Sequence, residues 1–156
     1  MVRKSQLEYQ YAPDFRIIGI FSPVKDYRLA WLINQQLGFD LKRLPVFSWS
    51  PQGNEITHEC NVFRYENPER YLKAYLLGNR TLSGSLLQEP RNLDYMLLLK
   101  KPGANIKIPE MIKSLRSIGQ VQMAALLDKA NDKHTTALLY DLEMFLASLG
   151  QPEVTK

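Results

Sequence analysis

The apolar segment at residues 93–100 constrains the fold of this chain most strongly. Its run from Met96 to Leu99 is strand-like, and it follows an Asp94-Tyr95 pair. The sequence Lys101-Pro102-Gly103 stops the run, as is typical of a turn. The pattern predicts a central strand over residues 93–100, with the stretch that leads into it at the centre of the fold.

Six further segments have the patterns of β-strands: residues 7–11, 15–21, 41–49, 56–65, 71–77 and 121–127. Gly19 marks a bulge or a close approach in the second of these, and Pro45 predicts that residues 41–49 form an edge or bulged strand. The last segment is ambiguous from its residues alone. Its apolar positions recur with a period of two, whereas its alanine and leucine residues favour a helix.

Three helices are indicated by their end signals and apolar spacing. The signals are Ser22-Pro23 and Gly38 for the first helix, Ile108-Pro109-Glu110 for the second, and Asp132 with Gly150 for the third. The element order is β-β-α-β-β-β-β-α-β-α, with short turns between consecutive strands. It predicts one α+β domain over residues 1–156, an antiparallel meander sheet of about six or seven strands covered by three helices.

Composition places the chain among ordinary globular proteins. Its 156 residues are 45% hydrophobic and 23% charged, which suits one domain with a sizeable core. The single cysteine, Cys60, cannot form an internal disulfide and favours a reducing compartment. Residues 1–10 contain no apolar signal region, and no apolar run approaches the ~20 residues that span a bilayer. We therefore expect a cytoplasmic protein with no membrane contact.

The positive charge is concentrated in the middle of the chain. Residues 70–116 carry nine basic and three acidic side chains, although the whole chain has a net charge of only +4. Aromatic residues of the predicted strands interleave with Arg64, Arg70 and Lys73, a pattern that can form a stacking platform for single-stranded RNA. The other interpretation is a solvated strand face.

The stretch from Leu87 to Tyr95 resembles the signature of a small bacterial family, the I-P-E-x-x-x-V-D-Y proteins. Position by position, Leu87, Gln88 and Glu89 stand at the isoleucine, proline and glutamate, Pro90, Arg91 and Asn92 at the free positions, and Leu93, Asp94 and Tyr95 at the valine, aspartate and tyrosine. The departure is Gln88. A strand-helix segment from Gly19 to Arg43 is also similar, so that the resemblance covers about residues 7–128. It implies a strand at 121–127, but no activity, cofactor or partner.

Glu89, Asp94 and Tyr95 are the chemically richest group of this stretch. Two carboxylates beside a phenol are suited to acid–base chemistry. Adjacent strand residues point to opposite faces, however, so Asp94 and Tyr95 cannot share a pocket without a bulge. We therefore predict a structural role, in which Asp94 accepts backbone hydrogen bonds at the corner before the strand and Tyr95 packs with its hydroxyl satisfied.

Asp26 and Arg28 lie near the start of the first predicted helix. Asp26 is placed to interact with the positive end of the helix dipole. Arg28, or Lys25, is predicted to form an ion pair with Asp94 or Glu89 that ties this helix to the central strand. On this hypothesis, Asp94→Asn destabilises the fold.

His58 and Cys60 share one face of a predicted strand. Two ligands are too few for zinc, and His134, the other histidine, is distant in sequence. Side chains at alternate strand positions are parallel, which does not direct the imidazole at the sulfur, so a buried cysteine is the simpler interpretation. No phosphate-binding glycine motif occurs. We predict no metal and no cofactor.

The last helix carries apolar residues outside its main stripe: Leu139, Tyr140, Met144 and Leu146. A helix that is apolar nearly all round needs two partners, and we expect the second to be another subunit. The leading hypothesis is a non-enzymatic accessory protein that acts through protein contacts, with a homodimer as one form. The alternative is an RNA-binding factor that uses the basic 70–116 region, and a weaker third is an enzyme built on Glu89, Asp94 and Tyr95.

Overall fold

Short apolar strands separated by turns assemble into a six-stranded antiparallel sheet in the computed structural model, which describes residues 14–51, 55–128 and 132–150. The strands are β1 Phe15–Phe21, β2 Lys42–Arg43, β3 Phe47–Trp49, β4 His58–Cys60, β5 Val62–Asn67, β6 Leu72–Gly78, β7 Arg80–Thr81, β8 Gly84–Ser85, β9 Tyr95–Lys100 and β10 Met123–Leu127. The helices are α1 Asp26–Leu37, α2 Ile108–Arg116 and α3 Lys133–Leu149, with a 3₁₀ turn at Pro68–Arg70. The predicted strand at residues 7–11 lies outside the described residues.

The sheet has the order β10-β1-β9-β6-β5-β2, and β3–β4 and β7–β8 form two small sheets of their own. All the strand pairs are antiparallel, which confirms the predicted α+β class. The chain leaves the meander order at β1, which lies between β9 and β10. The strand β1 is therefore hydrogen-bonded on both sides, and its side chains are buried on both faces of the sheet.

Alternation along the strands divides the core between the two faces of the sheet. On one face, Ile18, Leu76 and Leu97 pack with residues of α1 and α2. On the other face, Ile17 and Leu98 pack with residues of α3 and of the β3–β4 hairpin. Every residue of β9 from Tyr95 to Leu99 is buried, so the predicted central strand is central in the structure.

Two predicted strands are each divided in the structure. Residues 41–49 form β2 in the large sheet and β3 in a small one, with Pro45 between them. Residues 56–65 divide at Asn61, whose side chain contacts Arg43 and Asp26 while the chain passes from one sheet to the other. Between β6 and β9, residues 80–85 contain the β7–β8 hairpin. Residues 123–127 form a strand, as the family resemblance implies.

The helix ends follow the predicted signals with one exception. Gly38 ends α1 with a left-handed φ of 68°, Pro109 lies in the first turn of α2, and the Asp132 side chain accepts from Thr135 N at the start of α3. Ser22 does not cap α1, which begins at Asp26. Instead, the Ser22 hydroxyl is buried and donates to Gln120 O at 2.7 Å.

The second partner of α3 belongs to the same chain. Leu138, Leu139 and Leu142 are buried, and the Phe145 ring lies against Phe47 of the β3–β4 hairpin with centroids 5.1 Å apart. Trp49 of that hairpin donates its indole N–H to Asp141 at 2.9 Å. A second subunit is therefore not needed to cover this helix, although Met144 stays exposed.

Gly19 is a close-approach position, as the sequence predicts. A Cβ atom here would lie 2.9 Å from Leu93 Cδ1 and 3.1 Å from Leu127 Cδ1. We expect Gly19→Val to lower the free energy of unfolding by about 1–3 kcal/mol because it overpacks the core. Urea denaturation measures the change. Gly78→Ala, in β6 with open space around the new methyl group, is the matched control and should be nearly neutral. Equal effects at the two positions would contradict this account.

Candidate functional site

Asp94 joins three segments at the entry to β9. Its Oδ2 accepts from the backbone N–H of Ser22 at 2.8 Å, and its Oδ1 accepts from Arg80 Nε at the same distance. The cation at Asp94 is therefore Arg80 and not the predicted Arg28 or Lys25, which are both exposed on the α1 side. Because Gly78 of β6 pairs with Tyr95, the strand that follows β6 brings Arg80 directly beside Asp94.

Asn79 holds the loop that precedes β9, and the sequence did not reveal it. This side chain is 1% exposed. Its Nδ2 donates to the carbonyls of Leu87 and Leu93, both at 2.9 Å, and its Oδ1 accepts from Leu87 N at 2.8 Å. Both ends of the signature loop are thus bound to one amide. In the sequence, Asn79 follows Gly78 just after the predicted strand 71–77, and this position does not indicate a buried role.

Glu89 lies away from these contacts. It is exposed in the loop, the peptide bond between Glu89 and Pro90 is cis, and no other described residue forms a hydrogen bond or ion pair with its carboxylate. Of the two carboxylates, only Asp94 has the predicted structural role.

Tyr95 points to the face of α1 and α2, while the Asp94 carboxylate faces Ser22 and Arg80. The Tyr95 hydroxyl donates to the backbone carbonyl of Val24 at 2.5 Å. Burial, reinforced by the negative charges of Asp26 and Asp94, raises the pKa of Tyr95 to about 12. The phenol is therefore a fixed hydrogen-bond donor at neutral pH. In the described part of the chain, no hydrogen bond joins Glu89, Asp94 and Tyr95 to one another.

Asp26 stabilises the start of α1, as predicted. It occupies the first turn, its Oδ1 accepts from Tyr27 N, and its Oδ2 accepts from Asn61 Nδ2, both at 2.7 Å. Negative charge at this end of a helix is favourable because it compensates the exposed backbone N–H groups. Asp26 also connects α1 to the β4–β5 corner, whereas Arg28 projects from the exposed side of α1.

The two histidines, distant in sequence, meet at Trp49. The His58 ring is stacked with Trp49 at 6.1 Å, and the His134 ring meets the same indole edge-on at 5.1 Å. His58 Nδ1 forms a hydrogen bond with Thr81 Oγ1 at 2.7 Å, and the same hydroxyl lies 2.8 Å from Gly84 O. Burial lowers the pKa of His58, and the nearby His134 adds to this effect.

This aromatic cluster does not assemble a nucleophile or a metal site. Cys60 is buried, and burial together with the charge of Glu59 raises the pKa of its thiol to about 12. A thiol with so high a pKa is a poor nucleophile. In the part of the chain that the structure describes, no three His, Cys, Asp or Glu side chains come together as metal ligands.

The three candidate nucleic-acid-binding cations do not lie on one surface. Arg64 and Lys73 point to the α3 face by strand alternation, and Arg64 donates to Gly150 O at 3.3 Å. Arg70 lies over the Phe39 ring on the opposite face, 5.8 Å from its centroid. Of the aromatic residues in the predicted strand 71–77, Tyr75 is buried and donates to Glu66, whereas Tyr71 is exposed. The predicted stacking platform is therefore not assembled from these residues. Tyr9 and Tyr11, the aromatic residues of the predicted strand 7–11, lie outside the described residues.

The outer side of α1 exposes two aromatic rings. Tyr27 is 61% and Trp31 55% exposed, and their spacing of four residues places them next to each other on the helix. The sequence places both on one side of the helix together with Asn34. Asn34 instead fixes the end of α1, since its side chain bonds both Leu41 N and Leu41 O.

Comparisons of the chain with protein-family models, with curated proteins and with solved structures found no match. Membership in the I-P-E-x-x-x-V-D-Y family therefore stays a prediction. Among the described residues, the helices are all too short or too polar to cross a bilayer.

The signature carboxylates can be separated by mutation. Asp94→Ala leaves the buried Ser22 N–H without its acceptor, so we expect it to cost about 1–3 kcal/mol in the free energy of unfolding. Asp94→Asn should cost less, because an amide oxygen can still accept from Ser22. Glu89→Ala is the matched control within the same loop and should stay within about 0.5 kcal/mol of the wild type. A Glu89 variant as unstable as the Asp94 variant, in the same thermal unfolding assay, would refute this assignment.

His58 should make stability depend on pH. The unfolded imidazole titrates near pH 6.5, and the folded pKa is lower, so the unfolded state binds the proton first as pH falls. The contribution of His58 is complete above about pH 6.5 and is lost below it. We expect His58→Gln to flatten the loss of urea stability between about pH 7.5 and 5.5. His134→Gln should retain most of the slope, since burial is the main cause. An unchanged slope in His58→Gln would argue against this origin.

Proposed function

We propose that this protein is a non-enzymatic cytoplasmic accessory protein that binds another protein chain through the outer side of α1. The observation that carries the proposal is the pair of exposed rings, Tyr27 and Trp31, here called the Tyr27–Trp31 patch. Tryptophan and tyrosine are the residues most often found to dominate the energy of protein interfaces. Two of them side by side on a helix form an anchor of this kind.

The patch is held rigidly, which favours binding. The opposite side of α1 is buried through Leu29, Ala30 and Ile33. One end of the helix is bound through Asp26 to Asn61, and the other through Asn34 to Leu41. A binding surface that is already ordered loses less conformational entropy when the partner arrives.

The states of the reactive side chains support a non-enzymatic role. Tyr95 donates to a backbone carbonyl, Asp94 accepts from a backbone N–H, and the Cys60 thiol is buried with a raised pKa. Each of these groups has a structural partner or environment. A reaction built on Glu89, Asp94 and Tyr95 has little support, because the three do not meet.

RNA binding has less support than protein binding. Arg64 and Lys73 lie on one face and Arg70 on the other, so a single strand of RNA cannot contact all three on one surface. Glu66 lies opposite Lys73 in the β5–β6 ladder and reduces the positive potential there.

Differential capture tests the proposed function. Tagged wild-type protein, Tyr27→Ala/Trp31→Ala and Leu82→Ala are incubated with extract of the native host, and the retained proteins are compared by mass spectrometry. Loss of the two rings should cost about 2 kcal/mol or more, roughly thirtyfold in affinity, so at least one protein is lost selectively. Leu82→Ala is the matched control, because it removes a fully exposed apolar side chain from the β7–β8 turn.

The candidate partner is then purified and titrated directly. Trp31 is exposed and Trp49 is 3% exposed, so a partner that covers the patch should shift the emission of Trp31 to shorter wavelength. The same set of proteins retained by all three baits would contradict the proposal.

A further inference from the structure

The strand β10 lies at one edge of the six-stranded sheet that the described residues form. Among the described strands it pairs only with β1, so alternate residues turn their N–H and C=O groups away from the sheet. Natural edge strands usually carry lysine, proline or a bulge that prevents pairing with another chain. The β10 sequence, Met123–Leu127, contains only methionine, alanine and leucine. The strand itself therefore carries none of these protecting residues, and a side chain of α2, Arg116, donates to the carbonyl of Ala124.

Apolar side chains are exposed on both faces of this edge. Met123 is 48% and Leu126 40% exposed. Ala124, which has the same parity as Leu126, is buried with α2, while Leu127, which has the same parity as Met123, packs on the α3 face. An added strand alongside β10 would cover both Met123 and Leu126, because its own side chains alternate between the same two faces.

The two ends of the edge carry opposite charges. Arg116 of α2 donates its Nε–H to Ala124 O at 2.8 Å, which places the guanidinium beside the first half of β10. Asp128 directly follows the strand at its other end and is exposed. Antiparallel pairing of β10 with itself about a two-fold axis near Ala125 or Leu126 puts Asp128 of a second copy opposite residue 122 or 124. Each Arg116 then faces an Asp128.

We propose that β10 pairs with β10 of a second copy of this chain, antiparallel about a two-fold axis, and so joins two sheets into one of twelve strands. Reciprocal Arg116–Asp128 ion pairs set the register. A second copy suits this edge because it supplies a strand of equal length and the opposite charge at both ends. The β10 edge is a second surface, and self-association there does not depend on binding at the Tyr27–Trp31 patch.

The test is a charge-reversal complementation of the full chain, measured by sedimentation velocity over a wide range of concentration. Wild-type protein should sediment as a dimer. Arg116→Glu and Asp128→Arg should each be monomeric, with the dimer dissociation constant raised at least about tenfold, because each variant places two like-charged pairs across its interface. An equimolar mixture of the two variants should recover the dimer. In the mixed dimer the introduced glutamate of one variant faces the introduced arginine of the other, and the remaining Arg116 faces the remaining Asp128.

Two further variants keep the test decisive if Arg116→Glu, which also loses the bond to Ala124 O, does not fold. Leu126→Lys places a charge on the edge strand and should give a folded monomer, whereas Leu82→Lys on the distant β7–β8 turn should remain a dimer. A wild-type chain that stays monomeric at every concentration overturns the proposal. So does a dimer that survives Asp128→Arg and Leu126→Lys.

Discussion

The buried amide of Asn79 is the contact on which the centre of this fold depends. It binds Leu87 and Leu93, the two ends of a loop that contains little regular structure, and its backbone N–H donates to Asp94 O at 2.9 Å. A buried polar group left without a partner costs about 1–3 kcal/mol, and three such groups are satisfied here by one side chain. The loop can therefore lie against the core, with Leu87 and Leu93 buried, and deliver the chain into β9. Asp94 then closes the same corner against Ser22. The signature stretch is in this way an architectural element, and its carboxylate and phenol are occupied by the backbone.

The strand β9 is apolar on both faces and must be covered on both. This requirement determines on which face of the sheet each helix lies. The helices α1 and α2 cover one face, and α3 covers the other. The helix α3 has apolar residues on more than the side that faces the sheet. Phe47 and Trp49 of the β3–β4 hairpin pack against this second apolar side. The hairpin thus covers apolar surface of α3 that the sheet does not cover. Exposed apolar side chains remain on the outer side of α1 and at the β10 edge, and these are the two surfaces on which the interaction proposals rest.

Local signals were reliable where the structure is determined locally. Gly38 and Asp132 end and begin helices as their backbone and side-chain chemistry requires, and Tyr95 packs with its hydroxyl bonded, as predicted. Contacts that depend on register were not predictable in the same way. Arg80 meets Asp94 only because β6 pairs with β9 at Gly78 and Tyr95. The local sequence likewise predicts that Ser22 caps a helix. In the structure, its hydroxyl donates instead to Gln120 O, which is distant in sequence. The excess of apolar residues on α3 correctly indicated two partners. Its sequence could not show that the second comes from the same chain.

The two free surfaces are separate enough to work together. The helix α2 contacts both α1 and β10, so it lies between them, and a second copy paired along β10 leaves the Tyr27–Trp31 patch of each copy uncovered. A two-fold dimer of this kind presents two identical patches in a fixed relation. When a partner carries two matching sites, the second binding event becomes intramolecular, and overall affinity exceeds that of one patch provided that the spacing of the sites fits. Self-association at the sheet edge would then strengthen binding at α1 without any new contact there, which gives a small protein with no assembled reactive site among its described residues a means of tight and selective attachment.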